Sequence, residues 1–82
     1  MDQNRLRWAA RRGMLELDLL FTAFLDRHYE ALSEDQRQAF ARLLGCEDQE
    51  LYAWLMGRAE APDAGLRAMV AWVRGGDGSA AP

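Results

Sequence analysis

The chain has 82 residues, half of them hydrophobic, with ten basic residues, all arginine, against thirteen acidic ones; this supports one domain with a real core and no need of staples. A formal net charge of −3 disfavours a whole-domain nucleic-acid binder, which must neutralise several phosphates. The lone Cys46 excludes an internal disulfide and a cysteine-based zinc cluster, and no apolar run has the length to cross a bilayer, so composition points to a cytoplasmic protein.

Strands are poorly supported: isoleucine is absent, valine occurs only at Val70 and Val73, and threonine only at Thr22. Ala, Leu, Arg, Glu and Gln take their place, and these favour helix. Trp8, Trp54 and Trp72 are available as large buried anchors.

Asn4 is positioned to cap a first short helix running to about Arg11, with Arg5, Trp8 and Arg12 on one face. Gly13 interrupts it, and the pair Arg12-Gly13 reads as a helix stop with a left-handed glycine, followed at once by a new start. A second helix from about Met14 to Tyr29 repeats Leu17, Leu20, Phe21, Phe24, Leu25 and His28 toward a core. Its acidic first turn, Glu16 and Asp18, suits the positive end of the helix dipole.

Ser33-Glu34-Asp35-Gln36 matches a capping box and starts a third helix, with Phe40, Leu43 and Leu44 on one side and a glycine reversal at Gly45. Asp48 is the expected cap of a fourth helix with the stripe Leu51, Trp54 and Leu55, stopped at Gly57. Asp63 caps a fifth, in which Leu66, Met69, Val70 and Val73 recur at helical spacing. The expectation is an all-α fold: a compact bundle of about five short helices in a single domain, residues 1–74, with a flexible tail, residues 75–82.

Catalytic chemistry needs a nucleophile beside a base, paired carboxylates or clustered metal ligands. His28 is the sole histidine and reads as a packing residue, Ser33 is a cap, and Cys46 has no base partner in the sequence pattern. Gly75-Gly76-Asp77-Gly78 has no strand before it and no helix after it, so it is not a phosphate loop. The chain therefore reads as a binding protein and not an enzyme, with no metal and no cofactor of its own.

The informative segment is Arg11-Arg12-Gly13-Met14-Leu15-Glu16-Leu17-Asp18, where a basic helix end, a glycine turn and an acidic helix start adjoin. Its plain reading is local, with Arg12 pairing to Glu16 across the turn and the other charges solvated. The stretch Trp8 to Asp18, WAARRGMLELD, also resembles the signature of the succinate dehydrogenase assembly factors, whose central pattern Arg-Gly-x-x-Glu is here Arg12, Gly13 and Glu16. The resemblance continues through Phe24, Tyr29 and LSEDQ to FARLLGCEDQELYAWLMG and Pro62-Asp63, about nine-tenths of the chain in the same order.

That resemblance implies a chaperone-like assembly factor. Its partner would be the flavoprotein subunit of succinate dehydrogenase, and the related subunit of fumarate reductase, and it would promote covalent attachment of FAD through the flavin 8α-methyl carbon to a histidine of the partner. The FAD would belong to the partner, and the factor would be cytoplasmic, off the membrane and monomeric when free. The partner-binding residues it implies are Arg12, Gly13, Met14, Glu16 and Asp18, widened by Arg5 and Trp8. Arg12 would offer a planar fork to acceptors on the partner, and Gly13 would allow close backbone approach. Because proteins of this family have also been grouped with antitoxins, the alternative is an antitoxin-like or nucleic-acid-associated regulatory protein using the arginine-rich first helix.

Overall fold

A computed structural model describes residues 3–75, so the tail expected at 75–82 lies outside the described residues except for Gly75. The described residues form five α-helices and no strand: α1 (Gln3–Ala9), α2 (Leu15–His28), α3 (Glu34–Leu44), α4 (Asp48–Leu55) and α5 (Ala64–Val73), with a 3-10 turn, Tyr29–Ala31, after α2. No described helix is long and apolar enough to cross a membrane.

Local chemistry sets most of the boundaries. Ser33 Oγ accepts from the Gln36 amide at 3.1 Å while Gln36 Oε1 accepts from the Ser33 amide at 2.8 Å, so both halves of the capping box form. Asp63 accepts from the Leu66 amide at 2.8 Å and starts α5. At the end of α4, the Arg58 amide donates to the Ala53 carbonyl and the Gly57 amide to the Trp54 carbonyl, with Gly57 at φ +75°. This double closure requires a left-handed residue, which glycine adopts without Cβ strain.

Several boundaries differ from expectation. Asn4 does not cap α1 but lies inside it, and α1 ends at Ala9, which takes Arg12 off the helical face of Arg5 and Trp8. Glu47, with no side-chain bond to the helix, stands at the N-cap of α4, and Asp48 is the first helical residue. Gly45 caps α3 at φ −78°, a right-handed conformation open to any residue, so no left-handed reversal occurs there. Positive φ among the described glycines is confined to Gly57 and Gly75, so Gly13 is not left-handed either.

The core is continuous. Leu6, Leu17, Phe21, Leu25, Phe40, Leu43 and Leu51 have virtually no exposed surface, and α3 packs most extensively on α5. An aromatic column holds the centre: Phe40 meets Phe21 edge-on at 5.8 Å and stacks on Phe24 at 5.1 Å, and Phe24 meets Trp72 edge-on at 5.2 Å. Each such side chain contributes about 1.5–3 kcal/mol by leaving water, and edge-on and offset contacts add to that. His28 closes the column at its half-buried end, 5.1 Å from Phe24 and 5.2 Å from Trp72, in the packing role expected of it. Trp54 and Trp72 are buried, but Trp8 is 73% exposed and does not serve as a core anchor. On α1 the inward position belongs to Leu6.

Candidate functional site

Residues 10–14 join α1 to α2 as a corner that carries the motif. Ala10 is buried and anchors its entry. Met14, in extended conformation (φ −99°, ψ 117°), is the N-cap of α2 and packs half-buried against the core. The Asp18 amide donates to the Met14 carbonyl at 3.1 Å, the opening bond of α2. The Asp18 carboxylate then turns back and accepts from the Arg12 amide at 3.0 Å, fixing the corner against the first turn of its own helix. Asp18 thus has an internal task.

Arg12 departs from the local pairing with Glu16 and from the outward fork that the resemblance implies. Its partner is not Glu16, and its guanidinium does not extend as a fork toward solvent. The side chain is only 16% exposed; Nη2 donates to the Leu44 carbonyl at the end of α3, and Nε lies 3.6 Å from Asp48 Oδ1 at the start of α4. A cation suits the negative end of α3, where the last carbonyls lack helical partners.

The residues that do face outward are Gly13, Leu15 and Glu16, with Arg11, Trp8 and Arg5 on the α1 side. Gly13 is exposed, and a Cβ built there would meet nothing within 4 Å. With no positive φ and no crowding, nothing inside the fold requires glycine at this position. Leu15 is 66% exposed and Leu19, one turn further along α2, is 61% exposed. Their outward placement is a feature missed by sequence reasoning, though the spacing of Leu15 and Leu19 off the stripe Leu17, Phe21, Phe24 was a visible signal.

Asn4, Arg5, Arg7 and Trp8 of α1, with Arg11 just beyond its end, line a shallow groove, and the Arg11 guanidinium lies 5.5 Å from the Trp8 ring centroid. Such a pair presents a flat apolar face beside a delocalised cation. Arg7 is bound to Asp26 of α2 at 2.7 Å, and Arg12 is turned inward. Arg7 and Arg12, which help make the first segment basic, are thereby committed within the fold, which reduces the positive surface that a nucleic-acid reading needs.

Cys46, the lone thiol, lies partly buried at the end of α3. The Cys46 thiol donates to the Arg42 carbonyl at 3.6 Å, and burial, reinforced by Glu50, pushes its pKa up, away from the reactive thiolate. Among the described residues no group of three or more His, Cys, Asp or Glu side chains is disposed to hold a metal ion. What the corner offers is a mixed apolar and charged surface on a rigid support.

The sequence profile of a family described as flavinator of succinate dehydrogenase matches residues 4–76. The protein named FAD assembly factor SdhE of Shewanella oneidensis is 55% identical over 75 residues, which is 92% of each chain. Its namesake in Pseudomonas putida is 49% identical over 69 residues, covering 84% of this chain and 82% of that one. A solution structure of a UPF0350 protein superposes with a TM-score of 0.73 at 39% identity, covering 87% of this chain and 76% of the other.

Proposed function

We propose that this chain, which belongs to the family of flavinators of succinate dehydrogenase, binds the flavoprotein subunit of that enzyme and promotes covalent attachment of FAD to it. The corner Gly13, Met14 and Glu16 is the centre of the docking surface, and Arg5 and Trp8 widen it. Arg12 and Asp18 belong to the same corner from beneath. Fumarate reductase, whose flavoprotein poses the same task, is a second client. The factor works as a monomer in the cytoplasm, holds no cofactor and has no catalytic site of its own.

The observation that carries this reading is the surface state of the motif. Gly13 is exposed, uncrowded and not needed by the fold, and it sits between an outward Leu15 and Glu16 on one side and an exposed Trp8 and Arg11 on the other. A backbone without a side chain admits close approach by another chain, and exposed Trp and Arg are typical anchors at interface centres. The bundle behind it keeps the corner in one shape, so little ordering cost falls on binding.

A factor of this kind accelerates a reaction in its partner by preferring the partner conformation in which flavin and acceptor side chain are aligned. Flavin chemistry stays with the partner, and the factor supplies differential binding. Each kcal/mol by which the factor prefers the aligned over the misaligned conformation raises the competent population about fivefold while that population is small.

The test is reconstitution. The purified flavoprotein subunit is incubated with FAD, with and without the chain, and covalent flavin is read by its fluorescence on a denaturing gel. The wild-type chain is expected to raise the yield or rate, and folded Gly13→Arg and Glu16→Ala variants to fail. Normal flavinylation by both variants removes the corner from the mechanism.

A further inference from the structure

The motif arginine is held by groups that lie far from it in the sequence. Its Nη2 reaches the Leu44 carbonyl, 32 residues away, and its Nε faces Asp48 Oδ1 at 3.6 Å without a hydrogen bond of its own. The Leu44 carbonyl is the last of α3 and Asp48 the first residue of α4. Arg12 therefore plugs the joint between those two helices, with the negative end of one and an acidic first residue of the other around it. A guanidinium at 16% exposure is stable there only with a counter-charge.

We infer that Asp48 is a positioning residue for the docking corner: it holds the Arg12 guanidinium inward, and the Arg12 backbone, tied by its amide to Asp18, sets where Gly13 and Glu16 stand. This rests on the proposed docking role of that corner. The covalent path is short, because the guanidinium and the amide that donates to Asp18 belong to one residue directly before Gly13. Loss of the Asp48 charge leaves the guanidinium without its counter-charge and removes one of the three ties on residue 12, the others being its amide to Asp18 and Nη2 to the Leu44 carbonyl. Arg12 then acts on the partner through the shape it imposes, and Asp48, which lies outside the Arg-Gly-x-x-Glu pattern, acts with it.

A double-substitution cycle in the reconstituted reaction tests this. Arg12→Gln, Asp48→Asn and the double variant are titrated against the flavoprotein subunit, reading both the factor concentration for half-maximal flavinylation and the maximal rate. Each single variant is expected to raise half-saturation on the order of tenfold, within the range that contacting pairs show, and the double variant no more than either single. The maximal rate should stay unchanged. Asp48→Glu, which keeps the charge, should recover much of the loss, whereas Asp48→Ser, a residue well suited to a helix start, should not. Glu50→Gln controls for removal of a charge from the same turn of α4.

Near-wild-type half-saturation for Asp48→Asn overturns the inference, as does a double variant whose loss is the product of the two single losses, which would mean that Arg12 meets the partner directly. Glu16→Ala in the same titration separates the two levels of the proposal. If Glu16→Ala is impaired and Asp48→Asn is not, only the positioning role falls. If Glu16→Ala and Gly13→Arg both act normally, the docking reading falls and the inference with it.

Discussion

Two glycines in this chain make opposite predictions when each is replaced by alanine. Gly57 sits at φ +75° in the closing turn of α4, a conformation that costs an L-residue about 1–2 kcal/mol. The added Cβ would also lie 3.1 Å from Arg74 Nη2, but that is the far end of a flexible side chain and can move aside. The expected loss is thus the backbone cost, which for a domain of this size lowers Tm by about 5 to 10 °C. Gly13 has neither a positive φ nor a neighbour within 4 Å. Alanine there restricts the unfolded chain and should leave stability unchanged or raise it by about 0.4–1 kcal/mol.

Binding should show the reverse order. Gly57→Ala, measured well below its midpoint, should support flavinylation normally, whereas Gly13→Ala places a methyl on the docking surface and should raise half-saturation, and Gly13→Arg should abolish the effect. Urea or thermal unfolding followed by far-ultraviolet circular dichroism gives the stabilities, and covalent flavin fluorescence the function. A Gly13→Ala variant that unfolds as readily as Gly57→Ala, or that binds the flavoprotein with wild-type affinity, refutes the reasoning.

Phe40 is fully buried where α2, α3 and α5 meet, so Phe40→Ala should cost about 3–5 kcal/mol, a large share of the 5–15 kcal/mol typical of a domain, and should appear as a sharply lowered urea midpoint. Asp63 has its pKa lowered, first by the hydrogen bond from the Leu66 amide and then by Arg42 at 2.7 Å. A depressed folded-state pKa means the unfolded chain binds protons more readily, so this contribution is complete above the ordinary aspartate value of about 3.9 and is lost as pH falls through the lower folded one. Asp63→Asn, which still caps α5, should flatten the acid limb of the stability curve below about pH 4. Cys46, partly buried and with its thiol pKa raised by that burial, should react slowly with a disulfide reagent at neutral pH and faster in alkali or urea; rapid labelling at pH 7 would contradict the raised pKa.

The sequence alone determined the helices and much of the core. Capping at Ser33 and Asp63, the stop at Gly57 and the stripe Leu66, Met69, Val70, Val73 are interactions among residues three to five apart, so their chemistry is written locally. The motif and the resemblance it carries were equally legible, because both are order along the chain. Tertiary structure decided which way the charged and aromatic side chains of the corner face. Trp8 has the composition of an anchor, yet Leu6 takes the inward position of α1. Arg12 had Glu16 one turn away, yet its counter-charge is Asp48, which stands as the first residue of α4 and not at the expected N-cap. Surface ion pairs between near neighbours are worth little, whereas a mostly buried guanidinium must find a carboxylate and a carbonyl wherever the fold brings them. Which helix ends meet at that point is a property of packing, and no local pattern encodes it.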